Sequence, residues 1–353
     1  MIYKKRIAIV GGGIFGSTIT IRLARKGYFC DLFEKNNSIM NCASRVNQYR
    51  LHKGYHYPRS GSTVNQLLNS YSRFIEEYYD AVEKKYTHLY ALAKEKSLTS
   101  KEEYLQFLNR HSLKYEILDF HPNLINEKFN LIFIADEHLI DYHKLKKIVE
   151  ERLGNNPLIN LKLNTEFKKN SADEYDFVIF CGYGLTSKII PGELKKKYKF
   201  QLVEKLVVKP PKSLSNTSLV IIDGPFMCID PIPDKRLSVL GNVKKAIYET
   251  SYGFEPNMSK IDKNPAPWVD EYKEKNTRFE DFINHGAEYI SDFKECKFNY
   301  SMRGFRVVPM NVELTDERLS ILRNHDKYIE VLSGKIDSCS WVADKVLEKI
   351  TSL

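Results

Sequence analysis

The stretch Arg6–Lys35, RIAIVGGGIFGSTITIRLARKGYFCDLFEK, limits the fold of this chain more than any other. Ile7, Ile9 and Val10 sit in a short apolar run without polar alternation, as in a strand covered on both faces. Gly11, Gly13 and Gly16 follow with the spacing G-x-G-x-x-G. The first glycine permits a tight turn, the second lets a pyrophosphate approach the backbone, and the third lets the next helix pack close to the strand. That helix is predicted from about Ile14 to Lys26, stopping at Gly27, a left-handed residue just past its end. Gly13, Ile14 and Phe15 form its N-terminal edge, where free N–H groups and the positive dipole end suit phosphate. A second strand, Tyr28 to Phe33, ends at Glu34 and Lys35.

A carboxylate about 20 residues past such a loop can accept hydrogen bonds from ribose hydroxyls. Glu34 therefore favours an adenosine ribose with a free 2′-hydroxyl, and FAD and NAD fit better than NADP. The alternative is a glycine-rich turn in some other α/β protein.

Composition narrows the class. At 353 residues the chain can build two domains with ample core. Its 42% hydrophobic and 28% charged residues are ordinary for a globular protein. The net charge of +9 comes from 54 basic and 45 acidic residues, scattered apart from short clusters such as Lys195–Lys197. That pattern reads as solvated surface and argues against nucleic acid as a partner, while leaving room for an anionic small-molecule substrate. The six cysteines are dispersed and no C-x-x-C occurs, so neither a metal site nor a disulfide framework is expected. The first strand begins almost at the first residue and no apolar run reaches membrane-spanning length. A cytoplasmic location is the expectation.

A second informative stretch, Ser44 to Ser60, follows Glu34. It holds two histidines, three tyrosines and three arginines without a helical or strand period. So polar and aromatic a segment beside a dinucleotide-binding unit is a candidate to line the cofactor; a polar surface loop is the alternative.

The rest of the chain divides by pattern. Gly61 to about Lys94 reads largely as helix on the stripe Val64, Leu67, Leu68, Tyr71, Phe74, Ile75, Tyr78 and Val82, with His88–Leu92 a strand candidate. Ser100 and Glu103 form a capping box, and Asp141 can cap a helix over Tyr142–Leu153. The apolar run Tyr175–Phe180, ending in Cys181 and Gly182, suits a return to the first sheet. From Lys199 to Tyr300 short strands and turn signals dominate, with a helix over Pro267–Tyr289. A strand over Tyr328–Leu332, a turn at Ser333–Lys335 and a helix over Asp337–Ile350 close the chain. No tether is evident, so the domains interleave: 1–60, 138–198 and 301–353 for the cofactor, 61–137 and 199–300 for the substrate.

The chain resembles the D-amino acid oxidase superfamily of FAD-dependent oxidoreductases, glycine oxidase and L-2-hydroxyglutarate dehydrogenase among them. The hydroxyglutarate enzymes carry a stretch R-N-S-G-V-I-H-A-G-I-Y-Y after the ribose acid. Asn47, His52, Gly54 and Tyr57 match its Asn, His, Gly and last Tyr. Val46 is an extra residue between Arg45 and Asn47, and Tyr49 stands where the family has glycine. The resemblance implies an α/β fold. A Rossmann-type FAD-binding domain of the glutathione-reductase kind is interleaved with an α+β substrate domain on a mostly antiparallel sheet. It implies FAD, more readily non-covalent than covalent, with Ser44 and Arg45 at the pyrophosphate and Asn47, Gln48 and His52 toward the flavin ring. Cys181 and Gly182 would turn against the FAD.

Toward the C-terminus the family has a G-x-R-P arginine that grips a substrate carboxylate in the amino-acid oxidases. Ser301–Arg306 lacks the proline, and both Arg303 and Arg306 align with it. The last strand, turn and helix also resemble the family's closing element. Backbone N–H groups of Gly334, Lys335 and Ile336 would there stabilise negative charge on a reduced flavin.

The activity implied is removal of a hydride from a C–N or C–O bond of a small amine, amino acid, hydroxy acid or sugar derivative. His52 is the candidate base for a hydroxy donor, or a structural hydrogen-bonding residue; His56 is the second candidate. Two other classes stay open: a flavin-dependent nucleotide-sugar isomerase, which needs no net oxidation, and a non-catalytic FAD-binding protein.

Overall fold

The computed structural model describes residues 5–258, 277–310, 312 and 315–352. The chain opens with β1 (Arg6–Val10), α1 (Ile14–Arg25), β2 (Phe29–Phe33) and β3 (Arg50–Leu51). Next come α2 (Gly61–Tyr78), β4 (Val82–Glu83), β5 (Thr87–Ala93), α3 (Lys101–Arg110), β6 (Tyr115–Leu118), β7 (Phe129–Ala135) and β8 (His138–Ile140). They are followed by α4 (Tyr142–Gly154), β9 (Ile159–Lys162), β10 (Phe177–Phe180), β11 (Tyr198–Lys209), β12 (Thr217–Ile222), β13 (Met227–Pro231), β14 (Ser238–Asn242) and β15 (Ile247–Gly253). The last elements are α5 (Phe279–Ala287), β16 (Lys297–Pro309), β17 (Ile321–His325), β18 (Tyr328–Leu332) and α6 (Cys339–Thr351).

Two large sheets organise these elements. The first has the order β17-β18-β10-β1-β2-β9, parallel apart from β17. β1 is central, and Ile7, Ala8 and Ile9 are fully buried, which explains their unbroken apolar run. α1 is buried on nearly every side and packs against α4 and α6. Its hydroxyl side chains are compatible with that burial because they bond back to the backbone: Thr18 to the Ile14 carbonyl and Thr20 to the Gly16 carbonyl, both at 2.7 Å. On α6, Val342, Val346 and Ile350 form a fully buried stripe, each contributing roughly 1.5–3 kcal/mol.

The second sheet runs β15-β11-β14-β13-β12-β5-β7-β6, with β16 paired to the other side of β11. It is antiparallel except where β12 meets β5. The β11–β16 ladder extends from Tyr198 opposite Pro309 to Lys209 opposite Lys297. A small sheet, β3-β8-β4, joins the two systems. The six cysteines are unpaired, and among the described residues no helix is long and apolar enough to cross a membrane.

Local signals translated directly. Ser100 and Glu103 form the reciprocal capping box of α3. Asp141 accepts from the His143 and Lys144 N–H groups at 2.9 and 3.0 Å to open α4. Three expectations need correction. The helix of Gly61–Lys94 ends at Tyr78, because β5 is drawn into the middle of the second sheet. The helix expected over Pro267–Tyr289 falls partly outside the described residues; within them it is α5. Finally, β16 belongs wholly to the second sheet, so the return to the first sheet follows Pro309 rather than residue 300.

The glycine loop is the tightest packing point. A Cβ at Gly16 would stand 2.0 Å from the Gly11 carbonyl oxygen, whereas one at Gly154 would meet nothing within 4 Å. Gly16→Ala is expected to destabilise the protein by at least the roughly 1–3 kcal/mol of an overpacked core. Gly154→Ala should be neutral or stabilising by up to about 1 kcal/mol. Chemical denaturation of the two variants side by side checks this, and equal midpoints would remove the packing argument.

Candidate active site

The turn from β1 to α1 is fixed from three sides. Gly11 has φ +111°, and a Cβ there would press on the Cys181 carbonyl oxygen at 2.9 Å. Its N–H donates to the Phe33 carbonyl at 2.8 Å, tying the loop to the end of β2. Glu34 receives the Gly12 N–H on Oε2 at 2.8 Å, and the Asn36 backbone and side-chain donors on Oε1 at 2.9 and 2.7 Å. A carboxylate has about four acceptor positions, so Glu34 keeps capacity for ribose hydroxyls. Ser44 Oγ accepts from the Ile14 N–H at 3.0 Å, so the polar stretch touches the start of α1. Gly13 is open: a Cβ there would meet only Ser44 Oγ, at 3.5 Å. An open glycine, a helix N-terminus with its N–H donors and a carboxylate acceptor together meet the requirements of a dinucleotide.

A cavity of about 480 Å³ runs from this loop to the second sheet. Its lining includes Gly11, Gly13, Ile14, Phe15, Glu34, Lys35, Ser44, Asn47, Gln48, His52, Cys181, Gly182, Arg306, Gly334, Lys335 and Ile336. Gly16, Arg45 and Arg303 were expected at the site but do not line it. Gly16 serves packing. The Arg45 carbonyl accepts from the Tyr49 hydroxyl, closing the loop on itself.

The fold of the polar stretch explains its departures from the family pattern. Tyr49, where the family has glycine, takes φ +55°. Asn47 secures that bend by accepting from the Tyr49 N–H at 2.6 Å while donating to the Ser44 carbonyl at 2.7 Å. Asn47 thus shapes the loop.

Arg303 and Arg306 are separated by the period of a strand. They lie three residues apart on β16 and so face opposite ways. Arg306 faces the cavity, with Nε and Nη2 donating to Gln201 Oε1 at 2.8 and 2.6 Å. Arg303 lies 4.3 Å over the Tyr248 ring, donates to its hydroxyl at 3.1 Å and stands 3.8 Å from Glu204. Its position corrects the expectation of a substrate contact. Gly334 needs a similar correction: its N–H donates to Ser320 Oγ at 2.8 Å, and a Cβ there would meet the Arg318 carbonyl at 2.3 Å. Close packing, rather than a free N–H group, accounts for this glycine.

His52 is 7% exposed and borders a buried ionic cluster. Its Nδ1 lies 3.8 Å from Glu137 Oε1, too far for a hydrogen bond. Glu137 accepts from the Lys53 N–H at 2.9 Å, the Tyr90 hydroxyl at 2.7 Å and Arg50 at 3.3 Å. Arg50 also reaches Asp230 at 2.7 Å, which accepts from Ser218 at 2.7 Å. Burial lowers the His52 pKa, and the Lys335 cation adds to this against the pull of Glu137. His52 is therefore neutral at neutral pH. Burial and the nearby Arg318 push Lys335 down to about 8, and burial pushes Asp337 up to about 7. Asp337 Oδ2 accepts the His52 backbone N–H at 2.8 Å.

Residues 6–145 match the DAO family, described as FAD dependent oxidoreductase. The FAD-dependent monooxygenase FPY4 of Fusarium mangiferae is 23% identical over 98% of this chain and 90% of its own length. The FAD-dependent monooxygenase kojA of Aspergillus flavus is 36% identical over 24% of this chain and 20% of its own. Over residues 6–145 this chain carries the match to the DAO family of FAD-dependent oxidoreductases. Among solved structures, the L-α-glycerophosphate oxidase of Mycoplasma pneumoniae gives a TM-score of 0.73 at 15% identity, covering 98% of this chain and 94% of that one. Glycine oxidase of Geobacillus kaustophilus gives 0.71 at 15%, with the same coverage. At such identity these two speak for the fold. The comparisons lend the isomerase reading no support.

Several lining residues of this FAD-dependent oxidoreductase escaped the sequence reading. Thr165, Glu166 and Phe167 flank the Glu34 end of the cavity, and Lys205 and Arg318 the far end. Lys205 did leave a signal, as part of the charged pair Glu204–Lys205 inside the otherwise apolar run LVEKLVV. Its direction needed the register.

Gly13→Ala separates folding from cofactor binding. The added methyl has room in the protein but stands where the pyrophosphate would approach. Circular dichroism and the denaturation midpoint should match the unmodified protein, while FAD affinity, titrated by flavin fluorescence on the apoprotein, should fall by at least about 10-fold, or 1.4 kcal/mol. Unchanged affinity would move the pyrophosphate elsewhere.

Proposed function

We propose that this enzyme removes a hydride from a C–N or C–O bond of a small, anionic amine, amino acid, hydroxy acid or sugar derivative. The observation that carries this reading is the continuous cavity linking the glycine loop and Glu34 to His52, Lys205 and Arg306. When bound, FAD supplies the two-electron acceptor. Gly13, Ile14, Phe15 and Ser44 would hold its pyrophosphate, and Glu34 and Lys35 its ribose. Cys181 and Gly182 would lie along it. Gln48, Lys335 and Ile336 would border the ring, with the Lys335 ammonium and the nearby start of α6 favouring negative charge there. Arg306 would hold an anionic group of the donor, as half-buried guanidinium groups do well.

His52 would take the hydroxyl proton of an alcohol donor. Glu137 faces Nδ1, leaving Nε2 for the substrate. An amine that arrives deprotonated needs no such base. The six unpaired, dispersed cysteines support a reducing compartment, the cytoplasm. The full-length likeness to a protein named a monooxygenase favours a second reading, in which the enzyme inserts oxygen into its substrate.

The test is anaerobic bleaching of the flavin absorption band by a panel of amines, amino acids, hydroxy acids and sugar acids. A donor that bleaches it and yields an imine or carbonyl product supports hydride removal. In a parallel run under ¹⁸O₂, labelled oxygen in the product supports the second reading, and a flavin that no donor reduces anaerobically sinks the first. For an alcohol donor, His52→Ala should lower kcat by about 10²- to 10⁴-fold. The neutral imidazole is the active form and its folded pKa lies below the ordinary 6.5. Activity should therefore be flat through neutrality and fall as pH drops through that lowered pKa, and the limb should vanish in His52→Ala.

A further inference from the structure

Two cations face the cavity from one surface of the second sheet. In the β11–β16 ladder Gln201 lies opposite Arg306, Val203 opposite Gly304 and Lys205 opposite Met302. Alternation puts all six on one face, where Val203, Lys205 and Arg306 line the cavity. The missing side chain of Gly304 lets Val46 rest on the sheet between the two cations; a Cβ at Gly304 would come within 3.2 Å of it.

Neither cation has a carboxylate partner among the described residues. Lys205 Nζ donates to Gln48 Oε1 at 2.6 Å. Asp230, within its electrostatic reach, is already taken by Arg50 and Ser218. Arg306 spends Nε and Nη2 on a single amide oxygen, and its Nη1 has no hydrogen-bond partner among the described residues. Asp316, within reach of Arg306, is paired with Arg318. Burial pushes the pKa of both cations down, the direction that an unpartnered charge produces. Holding two such charges on one wall is costly unless an anion meets each of them. From Gln201 to Lys205 the strand advances about 13 Å, a span that two long side chains reduce to the length of a short carbon skeleton.

We propose that the substrate is a dianion, one negative group held by Lys205 and the other by Arg306. This rests on the proposed function and names its substrate class. Dicarboxylates and phosphate monoesters share the required chemistry.

The holoenzyme is titrated with malonate, succinate and inorganic phosphate, and with acetate as the single-charge reference, following the perturbation of the flavin spectrum. At least one dianion should bind about 10- to 100-fold more tightly than acetate, as a charge-assisted contact provides. Lys205→Met should abolish the preference, and Lys196→Met, at an exposed position, should keep it. Tighter binding of malonate or succinate than of phosphate assigns a dicarboxylate, and the reverse a phosphate monoester. Acetate binding as tightly as every dianion, no perturbation by any dianion, or a preference that survives Lys205→Met overturns the proposal. The comparison on the unmodified enzyme stands even if Lys205→Met does not fold. Dianion binding without bleaching by any donor would sink the proposed function alone; bleaching by donors with no dianion preference would sink this inference alone.

Discussion

Arg50 joins the two halves of this protein. It lies on the two-residue strand that follows the cofactor loop, fully buried, and its guanidinium reaches Asp230 on the second sheet and Glu137 at the end of β7. Removing three charges from water is expensive, and a buried ion cluster is weak evidence for stability as such. Its effect here is geometric. The same few residues carry Gln48, Tyr49 and His52, so anchoring Arg50 fixes how the loop meets the sheet. Lys53 and Tyr90 complete the cluster by donating to Glu137, which leaves that carboxylate 3.8 Å from the His52 ring. A misplaced Arg50 would disturb the cavity wall before it disturbed either core.

How much could be read from the sequence follows from how local each interaction is. The glycine loop, Glu34, the Ser100–Glu103 capping box and the Asp141 cap all depend on residues a few positions apart, and their meaning survives without a partner. The parallel sheet was legible for the same reason: its strands are continuous apolar runs. The second sheet is made of non-local pairs. β13, β15 and β16 were not read as strands, nor was β17 at the antiparallel edge of the first sheet, and their charged and polar residues hide the pattern until the neighbours are known.

Arg303 and Arg306 show the limit sharply. As sequence, the two are equivalent candidates. Once β16 is a strand, a spacing of three puts them on opposite faces, and only Arg306 meets the cavity. Lys205 is the converse case, a residue with no motif that acquires a position from its register with β16. Tyr49 and Gly334 add a conformational version. Tyr49 adopts the left-handed bend that glycine would take freely, because Asn47 holds it there. Gly334 looked like a source of a free N–H group, yet its lack of a side chain is what lets the chain cross Arg318.

The charge of the molecule has to be judged in the same local way. A net +9 spread over a surface says little about ligands, since most of those lysines are solvated. The two ends of the cavity differ instead by placement. At one end Glu34, an acid satisfied by backbone and amide donors, is suited to neutral hydroxyls. At the other, Lys205, Arg306 and Lys335 converge from two sheet strands and the turn before α6. Burial makes each of these cations less stable as a charge and thereby raises the free energy gained when an anion arrives. The polarity along the cavity therefore differs between its ends, favouring hydroxyl groups at the acid and, in the proposed reading, the negative groups of a separate substrate toward the second sheet.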